Sequence, residues 1–459
     1  MTGRSLLGLV SLIVLAGCSD IREAREAQDP KSAREGERPI TAQEVGLETG
    51  RILTLETGLG ISLSHNPNVA ILRARMEQAQ AGLEQVDAGF LPQLLLQADY
   101  KWEKDGGASN PPLVGSKISS HSSVIQVQGG SLSVSQLLYD FGKTSALASQ
   151  AVNLYLAAQA DLASVRNDTA FNFRQAFFNL LKQEELVKVG EETVRQFEKH
   201  LEQTKGLVDV GSRQKYDLTK AQVDLGNAQL NLVKARTALV VARATLDNVL
   251  GLTEDPSYQV ERPAEVGQWT LTFDESFLLA RKNHPHLQGL ILREAAARYG
   301  VDAAIADFYP SLSLSGQFQW NGSLLPTTWF SSLGPLLNYV VFSGWQKTGA
   351  LHLAVAGLRE AYATRALEEE QIYLDLRNAF ALFEDARESQ KIASLTVKNA
   401  EEQLDLAQGR YLAGKASAVD LTDAQVALAS ARAAEIQARW DYEVSIASLL
   451  RSIGGAGKP

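Results

Sequence analysis

The 459-residue chain has a single cysteine, Cys18, which excludes an internal disulfide and any cluster of thiolate metal ligands. No apolar run reaches the twenty or so residues of a bilayer-spanning helix. Basic residues are outnumbered, 44 Lys and Arg against 53 Asp and Glu, which argues against a nucleic-acid surface or a basic membrane patch. The six histidines are scattered without metal-ligand spacing. Proline is absent between Pro112 and Pro256 and again between Pro335 and Pro459, and such tracts suit long helices. At this length two domains or an internal repeat are expected.

The lone cysteine is informative by position. Arg4 is followed by a short apolar run and then Leu15-Ala16-Gly17-Cys18, the proportions of a signal peptide over residues 1–17. Leu-Ala-Gly-Cys looks like a bacterial lipobox, which makes Cys18 the lipidated first residue of the mature chain. An ordinary signal with an incidental cysteine is the alternative. Several acyl chains give stable anchoring, and Ser19 after the cysteine suggests sorting to the outer membrane. Residues 18–52, charged and broken by Pro30 and Pro39, read as an extended tether.

One phrase then occurs twice. "VGSRQKYDLTKAQVDLGNA" begins at Val210 and "AGKASAVDLTDAQVALASA" at Ala413, so Gly211, Asp217, Gln222 and Ala228 answer Gly414, Asp420, Gln425 and Ala431 at an offset of 203 (414 minus 211). "HNPNVAILRAR" from His65 matches "NHPHLQGLILR" from Asn283, and "AGFLP" ending at Pro92 matches "ADFYP" ending at Pro310, at an offset of 218 (310 minus 92). Two structural repeats are expected, over 53–251 and 272–454, with a linker at 252–271. The extra residues of the first fall in its Gly/Ser/Pro-rich loop, Lys104 to Ser123, where backbone faces solvent.

The proline-free tracts repeat by seven. Phe173, Leu180, Val187, Val194, Leu201 and Val208 form one seam, echoed by Leu376, Phe383, Gln390, Val397, Leu404 and Tyr411. Beyond the glycine come Leu218, Leu225, Leu232, Leu239 and Leu246, with Ala221, Ala228, Ala235, Ala242 and Val249 three residues behind. This is a coiled-coil pattern whose alanines permit close helix approach. Gly211 and Gly414 therefore read as turns at the tips of two long helical hairpins, about 143–250 and 346–452. Glu184, Glu191 and Glu198, also seven apart, read as a solvated face.

After Pro92 the period changes to two. Leu94, Leu96, Ala98, Tyr100 and Trp102 alternate with Gln93, Gln97, Asp99 and Lys101, and Leu312, Leu314, Phe318 and Trp320 alternate with serines and glutamines. Such strands suit membrane hairpins over about 92–139 and 311–342, though soluble amphipathic hairpins look similar. The returning strands are read as Leu132 to Leu138, after a bulge at Gly129-Gly130, and Leu336 to Phe342.

Four strands are too few to close a barrel, and open edges do not persist in lipid. Two chains would give eight strands and a filled bore; three give twelve and room for a conduit. The helix lengths match: a continuous helix of roughly 100 Å equals a partner of about 60 Å plus a short helix of about 33 Å. The fold class expected is thus an α+β membrane protein: a trimeric 12-strand transmembrane β-barrel, four strands per chain, continuous with a long α-helical coiled-coil barrel and built on an internal two-fold repeat.

These features resemble the TolC-like outer-membrane efflux proteins, closest to the lipoprotein branch. The matching residues are "HNP"/"NHP", "FLP"/"FYP", "YDFGK" (Tyr139 to Lys143) with its echo "FSGWQK", and the two "G-x5-D-L-x2-A-Q" tips. The resemblance implies a homotrimer lipid-anchored in the bacterial outer membrane and extending into the periplasm. It further implies a passive exit duct for small molecules delivered by an inner-membrane transporter through a periplasmic adaptor. It also implies an acidic ring at the entrance, matched by Asp420 and Asp423 one helical turn apart; helix-start carboxylates suiting the dipole are the bland alternative. A gate link is matched by Asp217 and Tyr411, and adaptor-docking tips by Gly211, Ser212, Arg213, Gly414 and Lys415. The family's gate arginine falls on Ala416 here, which leaves Lys415 or Arg213 as substitutes, or a looser gate.

No enzyme is read from the chain. "FGKTS" lacks the earlier glycine of a phosphate-binding loop, since that position is Leu137, and His284-Pro285-His286 reads as a helix-start loop. No cofactor or metal is expected. Two alternatives remain: the outer-membrane duct of a type I protein secretion system, and a lipid-anchored periplasmic coiled-coil tether without a pore.

Overall fold

The computed structural model describes residues 52–104, 124–252, 258–263, 269–322 and 328–455. The expected signal peptide, Cys18, nearly all of the tether and both hairpin loops lie outside the described residues.

In the first half, β1 (Ile52–Leu53), α1 (Leu55–His65) and α2 (Pro67–Asp87) precede β2 (Gln93–Lys104), β3 (Val124–Tyr139), α3 (Lys143–Asp209) and α4 (Lys215–Leu250). The second half repeats the order with β4 (Gln259–Val260), α5 (Phe273–Asn283), α6 (Pro285–Ala306), β5 (Ser311–Gly322), β6 (Thr328–Asn338), α7 (Gln346–Leu412) and α8 (Ala418–Ser452). The short helices start at capping boxes, Thr54 with Thr57 and Thr272 with Glu275. They stop at Asn66 and His284, because the residue before a proline is pushed out of the helical region. Pro67 and Pro285 then open α2 and α6, where a missing N–H costs nothing. Helices α3 and α7 are each 67 residues, roughly 100 Å by the helical rise.

The described residues divide into two compact units, and each draws on both halves of the chain. One takes residues from 1–69, 168–269 and 381–448. Its core gathers Leu53, Phe173, Phe177, Phe178, Leu180, Leu246, Leu250, Tyr258 and Trp440, with Phe178 stacked on Trp440 at 5.8 Å. Smaller seams follow the heptads: Val194, Phe197 and Ala228 in the first hairpin, Ala400, Leu428 and Ala431 in the second.

The other unit takes residues from 70–167, 270–380 and 449–459 and holds an antiparallel sheet in the order β2-β3-β5-β6. The register places Leu94, Leu96, Tyr100 and Trp102 on one face with Leu132, Val134, Phe318, Trp320, Trp329, Leu333 and Leu337. The other face carries Gln93, Gln97, Ser131, Ser133, Ser315, Gln317 and Gln319. Most of the apolar face is exposed in the single chain.

Two strand expectations are corrected. Gly129 and Gly130 keep regular register with β2 and β5, and the irregularity lies at Leu137/Tyr139. Gly130 serves close approach instead: a Cβ there would stand 2.2 Å from Cζ2 of Trp320, so the indole lies over bare backbone. The last strand ends at Asn338 rather than Phe342 and includes Pro335. It is an edge strand, where a residue without an N–H is tolerated.

Candidate functional site at the helical hairpin tips

Both tips are built alike. Gly211 and Gly414 take φ of +76° and +70°, the left-handed region a glycine enters without a Cβ penalty. Gly211 N donates to Val208 O and Ser212 N to Leu207 O; Gly414 N donates to Tyr411 O and Lys415 N to Arg410 O. Each pair ends its helix in a Schellman arrangement. Gly211, Ser212, Gly414 and Lys415 are exposed, and Arg213 is half-buried.

The starts of the returning helices differ. Ser417 caps α8: its hydroxyl accepts from Asp420 N at 3.2 Å, and Asp420 Oδ2 accepts from Ser417 N at 2.9 Å. Those hydrogen bonds, with Arg410 nearby, hold the Asp420 carboxyl below its ordinary range. Asp423 is also exposed, while Gln214, at the matching start of α4, makes no side-chain cap.

The hydrogen bond between Tyr411 and Asp217 is not formed. The Tyr411 ring is buried at 3 % exposure, and its hydroxyl has no hydrogen-bond partner among the described residues. Arg213 covers that ring, its Cζ 4.6 Å from the centroid, and donates from Nη2 to the Ala416 carbonyl at 3.4 Å. Of the two candidates for the missing arginine, Arg213 is the one that reaches across.

Helix α3 is tied to both of its neighbours by glutamate doublets. Glu184 pairs with Arg243 of α4 at 3.9 Å and Glu191 with Arg236 at 2.9 Å. Glu185 pairs with Arg439 of α8 and Glu192 with Arg432 at 2.9 Å, while Arg432 also reaches Glu401 of α7 at 3.0 Å. Glu184 and Glu191 are therefore not a solvated face; Glu198 is exposed. The ladder to α8 runs in steps of seven on both helices, so its next rung toward the tip is Lys199 opposite Gln425.

At that rung the pairing stops. His200 Nδ1, Thr204 Oγ1, Gln425 Oε1 and the Tyr411 hydroxyl are all buried without hydrogen-bond partners among the described residues. The His200 ring meets Tyr411 edge-on at 5.7 Å. Burial pushes the imidazole below its ordinary value and Lys220 adds to this, against the opposing pull of Asp224 and Asp217. Sequence reading passed over His200 and Thr204, although Thr204 stands one heptad beyond the buried Phe197. Among the described residues no cluster of three or more potential metal ligands occurs.

The outer membrane efflux protein profile matches residues 59–252 and 278–455. The chain belongs to that family, an outer-membrane channel family whose members are not enzymes. It is 21 % identical over 405 residues to the "Probable outer membrane lipoprotein SilC" of Salmonella typhimurium, covering 86 % of this chain and 85 % of that one. It is 22 % identical over 476 residues to the "Probable efflux pump outer membrane protein TtgC" of Pseudomonas putida, covering 98 % and 96 %. The crystal structure of the Campylobacter jejuni CmeC outer membrane channel superposes with a TM-score of 0.78 at 19 % identity, covering 88 % and 86 %.

Proposed function

We propose that three copies pool their sheets into a twelve-strand barrel in the outer membrane, with the helical hairpins lining a duct that opens in the periplasm. The observation that carries this reading is the sheet itself. It has one apolar face and two unpaired edge strands, β2 and β6, which a chain in lipid must pair with something. The name of SilC, an outer membrane lipoprotein, supports a lipid anchor, which Cys18 would carry here. That of TtgC, an efflux pump protein, supports a role as the exit of an efflux pump, with small molecules as the cargo of this reading. An inner-membrane transporter and a periplasmic adaptor complete such a system, the adaptor meeting Gly211 to Arg213 and Gly414 to Lys415. Asp420 and Asp423 of each copy form the acidic ring at the entrance and attract cations.

Planar-bilayer recording of the purified protein tests this. Conductance that trivalent cations block from the helical side, and that Asp420→Ala with Asp423→Ala relieves about tenfold, is the expected result. A silent protein in the bilayer would instead favour the poreless tether.

A further inference from the structure

Within the chain, the turn after β3 clasps the segment before β5. Phe141 stacks on Tyr309 with ring centroids 5.0 Å apart, and Lys143 Nζ donates to Asp307 Oδ1.

Each half of this clasp has a counterpart. The turn after β6 aligns at an offset of 203 (343 minus 140). Asp140 accepts from Thr144 N and Ser343 from Lys347 N, and residues 141, 142, 344 and 345 all have positive φ. The segment before β2 aligns at 218 (310 minus 92), which sets Gly89 and Leu91 against Asp307 and Tyr309. Contacts inside each hairpin agree with both alignments. Lys347 Nζ donates to the Asp307 carbonyl, and its counterpart Thr144 is the neighbour a side chain at Gly89 would meet.

These counterparts adjoin opposite edges of the sheet, at β6 and β2. Each presents exposed apolar side chains: Trp345 and Phe342 at 74 %, Leu91 at 64 % and Phe90 at 47 %. Both halves of the clasp have also changed in concert. Lys143 is answered by Gln346 and Asp307 by Gly89, so the ion pair is lost from both sides at once. Phe141 is answered by Gly344, and the ring moves to Trp345, held at φ +68° in a conformation strained for a bulky residue.

We propose that a second copy of this chain seats its Phe90–Leu91 segment on Gly344–Trp345 of the first. This repeats between copies the clasp that Phe141 and Tyr309 make within one, with apolar contact in place of the ion pair. It rests on the assembly proposed above and names the residues that close it.

Disulfide trapping tests the contact. Leu91→Cys combined with Trp345→Cys, oxidised in membranes, should give linked species up to three chains, which neither single variant gives; Cys18 is common to all. A second variant needs no oxidant. Gly89→Asp with Gln346→Lys would install between copies the ion pair that Asp307 and Lys143 make within one. The space exists, since a Cβ at Gly89 lies 3.4 Å from Thr144 Cγ2. The double variant should raise the temperature at which the oligomer dissociates in detergent by several degrees, and neither single change should. A native mass of three chains with both effects missing overturns the clasp and leaves the assembly standing. A native mass of one chain overturns both.

Discussion

Arg213 lies over the ring of Tyr411, its guanidinium carbon 4.6 Å from the centroid, and so joins the tip of the first hairpin to the last turn of the second long helix. Tyr411 is thereby covered by a cation rather than tied by its hydroxyl.

Removing that cation should loosen the tips. A cation–π contact at a partly exposed site contributes about 0.5–2 kcal/mol. Arg213→Ala is expected to raise open probability in planar bilayers several-fold with little change in overall melting temperature. Arg213→Lys should recover only part of the closure, because the compact ammonium lacks the planar stacking surface.

The Tyr411 hydroxyl should be dispensable. A buried hydroxyl without a partner among the described residues costs desolvation that a phenylalanine avoids, so Tyr411→Phe should leave stability unchanged or raise it by about 1 kcal/mol, read as an equal or higher melting temperature. Conductance should not change. A leak of the kind seen with Arg213→Ala would show that the hydroxyl closes a bond in the assembled protein.

His200 sets a pH dependence. Its folded pKa lies below the ordinary imidazole value of about 6.5 because burial disfavours the charged ring. The folded chain therefore takes up this proton less readily than the unfolded one. The associated stability is present above about pH 6.5 and is lost as pH falls through the depressed value. The charged groups facing the ring are Asp224, Lys220 and Asp217 of α4, beside the Tyr411 ring of α7. Melting measured from pH 7.5 to 5.5 should fall more steeply for the native chain than for His200→Gln. Parallel curves would place the pH response elsewhere.

The bare backbone at Gly130 should be intolerant. Gly130→Ala drives a methyl into the Trp320 indole, an overpacking that typically costs about 1–3 kcal/mol. Less protein should reach the outer membrane, as read by fractionation and immunoblot. Trp320→Leu in the same chain should restore it, because the clash is with the indole ring.

What could be read in advance follows from how local each signal is. The heptads and the tip glycines were legible, since a seven-residue stripe and a left-handed turn are written in consecutive residues; Ala221, Ala228 and Ala242 are indeed buried. Gly129-Gly130 misled because a strand glycine marks either a bulge or a close approach, and the approaching Trp320 lies 190 positions away (320 minus 130). Glu184 and Glu191 looked solvated because Arg243 and Arg236 meet them only once the hairpin has closed. The Tyr411–Asp217 link came from likeness rather than from local chemistry, and within one chain it is Arg213 that meets the Tyr411 ring.

The glutamate rungs that bind α3 to α8 have one more consequence. Fastened by ion pairs at Glu185–Arg439 and Glu192–Arg432, the seam carries none at Lys199 and Gln425 among the described residues, and nearer the glycines it is held by Leu207 packed with Tyr411, Ala418 and Leu421 instead. Strain applied at the glycine end should therefore first lift Arg213 from the Ala416 carbonyl and the Tyr411 ring, and the split should then halt at Arg432, the first ion-paired rung.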